Sequence, residues 1–596
     1  MREAFVLLDD SRPHGAGLRV FTHPCAIVTA QTTVEVAPAL EALSNAVKQG
    51  FFAAGYFAYE LGYALEPRLT GLMPEGGQPL LWFGLFESPQ HMSGAQAEQW
   101  LTSRATGRAY AGPLAYGLDE AGYAQRFAKV RDYIFAGDVY QVNLTFPAPF
   151  AFQGDPLALY ARLRQGAQTG HAAYVDDGER TILSFSPELF FSVRDGEIFA
   201  RPMKGTAPRG NDPIDDARIA AALKASEKDR AENLMIVDLI RNDLGRVAKT
   251  GTVRVEDLFA VETYPTVHQM VSTVRAQLSQ PAGPADLVRA LFPCGSITGA
   301  PKVRAMEIIR ELETTPRGIY CGAVGCFAPD GSADFNVSIR TLTIKGGQGY
   351  LGIGGGIVAD SSANGEYQEC LVKARFFEQD RPPLGLIETL RYDAAQGFVR
   401  LPLHLNRLAR SAAAFGIPFD RTRVDAALAA AIEGAAGSLR VRLQLNDDGS
   451  VQASAQPFAL QEPQSAWRYR ISSHPVQSAD VLLRHKTTWR SLYDGERADA
   501  NREGCDEVVF LNERGEVAEG SMTNVFIRRD GRLLTPAASC GLLDGCLRRE
   551  LLDSGGCEEA VLFPSDLDGA EVYFGNSLRG LIRAEAFRSG TNPFRP

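Results

Sequence analysis

The stretch GIGGGIVADSSANGEYQECLVKARFFEQDRPPLGLIETLRYD, residues 352–393, carries in order a glycine run, a helix, a connector and a new strand. The glycines let backbone approach a ligand closely. Behind them, Glu366 and Glu369 are three apart and Lys373 lies four further on, so all three share one helix face turned towards the glycine turn. Pro382 and Pro383, flanked by charges, stop the helix and stiffen a short extended connector. LGLIETLRYD then reads as a strand. The chain therefore divides near residue 381, into a front module, 1–380, and a rear module, 384–596.

Working outward, 596 residues exceed what one core accommodates. A composition of 45% hydrophobic and 22% charged residues is that of an ordinary globular protein. The net charge of -10 repels nucleic acid, so an anionic substrate needs a locally positive pocket. Nine cysteines form no CxxC pair, which fits a reduced compartment. The start, MREAFVLLDDSRP, lacks the apolar run of a signal peptide, and no stretch reaches the roughly 18 apolar residues of a membrane span. The expectation is a cytoplasmic protein that binds neither nucleic acid nor membrane.

Both modules read as α+β. In front, SFSPELFFSV (184–193) and AVGCFAPDGSADFNVSIRTLTI (323–344) are strands, the second a hairpin closing at 329–332. SEKDRAENLMIVDLIRNDLG (226–245) is one long helix, with apolar residues recurring at Leu234, Val237, Ile240 and Leu244. Behind the connector, DEVVFLNERGEV and SMTNVFIRRDGRLLTP are strand pairs, and LHLNRLARSAAAFG and GCLRRELLDSGG are helices.

Three residues of the front module draw notice besides the glycine segment. Lys204, in RPMKGTAPRG, sits on stiff backbone between a proline-bearing strand end and a Gly-Thr turn; alone, such a lysine is usually a solvated surface residue. Pro187 aims Glu188, although a lone acid there is more often a cap. Glu232 stands among Arg230, Asn233 and Asp238, a pattern equally suited to an ion-paired helix face. Two acids of one helix and a third of another can hold Mg²⁺.

Together these segments resemble the chorismate-utilising enzymes: anthranilate, aminodeoxychorismate, isochorismate and salicylate synthases. The resemblance spans about 115–376 in eight ordered blocks. They are IFAGDVYQVNLT, SFSPELFF, KGT, KDRAENLMIVDLIRNDLG, VHQMVSTV, FPCGSITGAPKVRAMEII, DFNVSIRT and GIGGGIVADSSANGEYQECLVKA. Upstream, only GYFAYELGYALEP (55–67) is similar. The resemblance implies an anthranilate synthase component I-like β-sandwich with surrounding helices. It implies Glu232 and Glu369, with Glu366 beside them, as Mg²⁺ ligands. Tyr320 and Arg340 would contact substrate carboxylates, with Gly355 and Gly356 beneath. Lys302 and Lys373 would add positive charge, His268 would sit near the ring, and Glu188 would protonate the departing C4 hydroxyl. Anthranilate synthases carry a small residue where Lys204 stands; aminodeoxychorismate synthases carry a lysine, which adds to ring C2 before ammonia takes C4. No GxCxG elbow occurs in the chain, so ammonia is expected from a separate glutamine amidotransferase.

In the rear module, Lys486 follows the apolar run VLL and an arginine, at the edge of a buried strand, where a Schiff-base lysine is possible but a plain strand-end lysine is commoner. With His404-Leu405-Asn406-Arg407-Leu408 and the hairpin around Glu519, the set resembles the fold-type IV pyridoxal-phosphate enzymes over about 384–585. These include D-amino-acid and branched-chain aminotransferases and aminodeoxychorismate lyase. The resemblance implies a two-subdomain fold and pyridoxal 5'-phosphate linked to Lys486. Glu519 would pair with its ring nitrogen and Arg407 with its phosphate. Further phosphate contacts would come from Cys546 and Leu547 at a helix start, where the family often has Thr at the Leu547 position, and from Asn576 and Ser577. Thr389 would lie near the substrate, and two chains would pair through this module. The fusion favours consecutive amination and pyruvate elimination, giving 4-aminobenzoate. The alternatives are an anthranilate-type or aminodeoxychorismate synthase module fused to an aminotransferase, and a binding protein on a dead scaffold. The retained Lys486, Glu519, Glu232 and Glu369 argue against the last.

Overall fold

The computed structural model describes residues 3–587 except 13, 77, 106, 265–266, 380 and 460–465. Asp380 of the expected connector and 588–596 of the expected rear module lie outside the described residues. The chain forms two compact units. One comprises Met1–Arg104, Pro113–Phe150 and Leu159–Asp380; the other comprises Ala105–Gly112, Ala151–Ala158 and Arg381–Pro596.

Two sheets dominate the first unit. One runs Gly299–Ala300, Gln141–Gly154, Gln348–Ile357, Thr341–Lys345, Thr181–Ser186, His171–Asp176, Phe5–Asp10, Gly17–Thr22, Gln90–Met92. The other runs Met203–Pro208, Val267–Gln277, Glu197–Arg201, Leu189–Arg194, Ala333–Asn336, Ala323–Phe327, Phe52–Phe57, Leu81–Phe86, Ala26–Ala30. Val6, Leu8, Phe21 and Ile182 of the first pack in one cluster with Tyr56, Trp82 and Val324 of the second. This is the interior of a sandwich, as expected.

Two helices deliver the acids. The helix Glu227–Gly245 starts where the Ser226 hydroxyl accepts the Asp229 N–H at 3.3 Å. It buries Asn233, Ile236, Val237, Ile240 and Leu244. Leu234, read from spacing as part of that face, is 49% exposed, and Ile236 takes its place. The helix Ala363–Glu378, capped by Ser362, buries Tyr367, Cys370, Ala374 and Phe377 and leaves Glu366, Glu369 and Lys373 on another face. The glycine run ahead of it is not a turn: Gly352–Gly356 lie inside the strand Gln348–Ile357.

The second unit has two sheets with separate cores. Gly385–Asp393, Leu439–Asn446 and Val451–Pro457 form most of the smaller sheet. Its Leu386, Leu390, Val441 and Leu443 pack against Leu405, Leu408 and Phe415 of the helix Leu401–Phe415. The eight-stranded sheet packs Val509, Val517, Val525, Ile527 and Phe574 together. That agrees with the expected two-subdomain arrangement. Val481–Arg484, read as a buried strand, is instead a 3-10 turn, because Asp480 accepts the Leu482 N–H at 2.9 Å and starts it.

Candidate active sites

The front site is built around a bulge. On the strand Met203–Pro208 the register slips between Met203 and Thr206, and Gly205 takes a φ of +91°. The slip re-aims Lys204. The buried Asn233 amide reaches the Lys204 carbonyl at 3.5 Å while accepting the Ser272 hydroxyl at 2.6 Å, which ties the long helix to the bulge. A Cβ added to Gly356 would stand 2.9 Å from Lys204 Nζ and 3.1 Å from the Gln141 amide. Glycine is therefore what allows the lysine its position. Glu188, Glu232 and Glu369 all feel the charge of Lys204.

Glu188 is buried, and that burial pushes its carboxyl up to about 7 against the pull of Ser296, Lys204 and the Met203 backbone. Its Oε1 has no hydrogen-bond partner, and both polar atoms of the Gln141 amide are in the same state. Buried polar groups are normally satisfied, so such orphans point to a ligand. The mostly buried Arg340 is shifted down by desolvation, which Tyr264 partly opposes. Among the described residues it has no acid partner. A desolvated guanidinium without a carboxylate is suited to a carboxylate from outside. Tyr320 packs under the same strand: a Cβ on Gly352 would lie 2.1 Å from its ring.

The three expected metal ligands are linked electrostatically, Glu232 to Glu366 and Glu366 to Glu369. Burial raises Glu232, and Glu366 adds to that. Burial raises Glu366 as well, with Glu369 adding to it, while Ser361 donates to it at 2.6 Å. Glu369 is lowered, first by Lys373 at 2.9 Å. Lys373 also donates to the Gly354 carbonyl at 2.9 Å. Neighbouring carboxylates that repel one another can be drawn together by a hard divalent cation. Among the described residues, only Glu388, His404 and Cys546 bring three candidate donor atoms within 4.8 Å. The front acids are thus more widely spaced, as suits an ion that keeps several waters.

Two further expected site residues are engaged by protein groups. Lys302 is held by Asp243 at 2.7 Å and the Leu291 carbonyl at 2.9 Å, so its charge is neutralised where it sits. His268 is buried between Asp216 and Thr263, each at 2.9 Å, and Arg209 grips the same Asp216.

In the rear site Lys486 lines a cavity of about 320 Å³ with Thr389, Glu519, Cys546, Asn576 and Ser577. Its carbonyl accepts the Ile387 N–H at 2.9 Å, which pins the extended backbone. Burial, then Arg490 and Arg407, push its amine down to about 7. Burial pushes Glu519 up to about 7, while the Leu543 N–H at 3.1 Å and the Tyr493 hydroxyl at 2.9 Å hold its two oxygens.

Arg407 does not reach this site alone. It makes a two-pronged bond to Glu388 at 2.9 and 2.6 Å, and His404 bridges Glu388 at 2.6 Å to the Ser577 hydroxyl at 2.8 Å. Against the cost of burial, Arg407 and His404 pull Glu388 down to about 2. That network explains the three-donor group without a metal: its carboxylate is already engaged by a cation. Cys546 and Leu547 open the helix Cys546–Asp553, where the first N–H groups lack intrahelical partners. A Cβ on Gly545 would sit 2.0 Å from Asn524 Oδ1. An anion cradle, a neutral-leaning lysine and a buried carboxyl fit pyridoxal phosphate. No site role was assigned from sequence to Glu388, His404, Tyr493, Gln141 or Asn233. The partners of Glu388, His404, Tyr493 and Asn233 lie 16 or more positions away, and only the H-x-x-R spacing of His404 and Arg407 offered a local signal.

A sandwich carrying a lysine, a raised carboxyl and a cluster of acids defines the class: the chorismate binding enzyme family model matches residues 3–379, and the chain belongs to that family. The match reaches well ahead of the motifs readable from residue 115. A second model, amino-transferase class IV, matches 385–587. Aminodeoxychorismate synthase component 1 of Escherichia coli (strain K12) is 49% identical over 251 residues, 42% of this chain and 55% of that protein. Anthranilate synthase component 1 of Streptomyces coelicolor is 42% identical over 259 residues, 43% of this chain and 51% of that protein. The chain thus spans about half the length of these relatives. The crystal structure of anthranilate synthase component I from Streptococcus pneumoniae TIGR4 matches with a TM-score of 0.52 at 25% identity, over 63% of this chain and 92% of that one. Among the described residues, no helix is long and apolar enough to cross a membrane.

Proposed function

We propose that the chain converts chorismate to 4-aminobenzoate in two steps, amination to 4-amino-4-deoxychorismate in the front site and loss of pyruvate in the rear one. The observation that carries the reading is Lys204, aimed by a bulge between Glu188 and the acid cluster. The likeness to proteins named aminodeoxychorismate synthase component 1 supports it.

In the front site Lys204 Nζ bonds to ring C2 as Glu188 gives its proton to the C4 hydroxyl, which leaves as water. A carboxyl raised to about 7 is still about half protonated at neutral pH, as a general acid requires. Ammonia then bonds to C4, the bond from lysine to C2 breaks, and the double bond returns. Arg340 and Tyr320 meet the substrate's carboxylates. Mg²⁺ held by Glu232, Glu369 and Glu366 would supply further positive charge to a carboxylate. The ammonia comes from a separate amidotransferase chain.

In the rear site, bound pyridoxal phosphate would supply an electron sink for charge developing on the substrate. Glu519 would pair with the ring nitrogen, and Arg407 with the helix start at Cys546 and Leu547 would hold the phosphate. Lys486, neutral above about pH 7, takes and returns protons at its Nζ.

Purified holoenzyme given chorismate, Mg²⁺ and ammonium should release 4-aminobenzoate and pyruvate. Anthranilate as product overturns the front assignment. Aminodeoxychorismate that accumulates overturns the rear one.

A further inference from the structure

The rear cavity holds more positive charge than its cofactor needs. Arg407 is engaged by Glu388, Arg108 by Asp480 at 3.3 Å, and Arg490 by Asp494 at 3.5 Å. Four further arginines line the same cavity: Arg440, Arg442, Arg497 and Arg579. None of these four has an acid partner among the described residues. Arg497 Nε is buried without any hydrogen-bond partner.

Three elements bring them together. On the strand Leu439–Asn446, Val441 and Leu443 point into the core, so Arg440 and Arg442 stand on the opposite, exposed face. Arg442 is the direct cross-strand partner of Thr389, which lines the cavity beside Lys486. Arg497 lies one turn beyond Tyr493, the residue that fixes Glu519. Arg579 follows Ser577, and Asn576 Oδ1 accepts its N–H at 3.0 Å. Its guanidinium packs over Phe458 and Trp467, with ring centres 5.5 and 5.8 Å away. Burial, then the charges of Arg440 and Arg497, push Arg579 below its ordinary value, so these cations feel one another.

Where such charges are partly desolvated, as at Arg497 and Arg579, an anion that joins them relieves the cost. The phosphate of a bound cofactor would have its own cradle at Arg407 and Cys546. A simple amino-acid substrate brings one carboxylate.

We propose that Arg440, Arg442, Arg497 and Arg579 select a rear-site substrate carrying two carboxylates on a ring scaffold, and so separate it from monocarboxylate amines. This rests on the reading of the rear unit as a pyridoxal-phosphate site for an aminated, ring-bearing diacid. The planar forks of arginine suit a carboxylate better than lysine does.

The test uses the full-length holoenzyme and reads the visible absorbance of the bound cofactor, which reports on the rear site alone. It is titrated with 3-(carboxymethoxy)benzoate, a ring diacid, with 3-methoxybenzoate, its monoacid counterpart, and with D- and L-glutamate. The ring diacid should bind about tenfold or more tightly than the monoacid, the effect of one added charge-assisted pair. Arg497→Gln and Arg579→Gln should bring the two ligands to near parity, and Arg497→Lys should restore part of the difference. Arg440→Gln, on an exposed strand position, serves where loss of the Trp467 stacking unfolds the Arg579 variant. Equal binding of both benzoates to the unaltered enzyme, or a preference that survives in every variant, overturns the proposal. So does glutamate binding as tightly as the ring diacid. Holoenzyme without a visible cofactor band overturns the underlying reading of the rear unit, and the proposal with it.

Discussion

Lys486 is enclosed and its strongest charged neighbours are the cations Arg490 and Arg407, whereas Lys204 stands half-buried among Glu188, Glu232 and Glu369. The rear unit prepares an amine by withholding water and surrounding it with like charge. The front unit prepares one by position: a bulge, a glycine beneath it and a buried asparagine behind it. The rear lysine is thus governed by its medium and the front lysine by its geometry, and the two should fail in different ways.

Lys486→Ala makes the largest difference. It should abolish the visible cofactor band and 4-aminobenzoate formation together, while aminodeoxychorismate still forms from chorismate and ammonium; product chromatography reads both. Replacing the front acid, Glu188→Gln, should slow amination on the order of 10²–10⁴-fold. Stopped assays with the rear site intact measure it, and an unchanged rate removes Glu188 from the chemistry.

Smaller effects sharpen the contrast. Glu388→Ala leaves Arg407 buried without its partner and should lower the stability of the rear unit by about 3–5 kcal/mol, read by denaturant melts. The sign with pH follows from the lowered carboxylate. The pair's contribution is whole above the ordinary 4.5 and disappears as the pH falls through about 2. Loading of apoenzyme with pyridoxal phosphate should run the other way, rising through about pH 7 as Lys486 loses its proton. A loading rate flat from pH 6 to 8 would contradict the enclosed-amine picture. The smallest structural change is Gly356→Ala, whose Cβ has the side-chain ends of Lys204 and Gln141 as its nearest neighbours. It should leave thermal stability nearly intact yet slow amination, since a nucleophile moved by about 1 Å can lose on the order of 10²-fold.

Much of this was legible in advance. The spacing of Glu366, Glu369 and Lys373 placed them on one helix face, and the helix Glu227–Gly245 was readable from end to end. Errors arose where local pattern and tertiary context disagreed. Leu234 matched the apolar period but faces out, because Ile236 and Val237 fill the sheet side of the helix. Gly352–Gly356 read as a turn yet pair as a strand, since strand neighbours accept what backbone freedom alone does not forbid. Lys302, expected to add positive charge to the pocket, is also paired with Asp243 across 59 positions, a contact no local pattern records.

Residue order alone set out the groups on which the proposed chemistry rests. The lysine proposed to bond covalently, the proline-aimed acid, the paired helical carboxylates and the proposed cofactor lysine are matters of residue type and short spacing, and short spacing is what helices and strands conserve. Folding alone settled how each group behaves: which carboxyl keeps its proton, which lysine loses one, and which arginines remain without a counter-ion. Those properties depend on exclusion of water and on charges brought together from distant positions, and no local pattern records either.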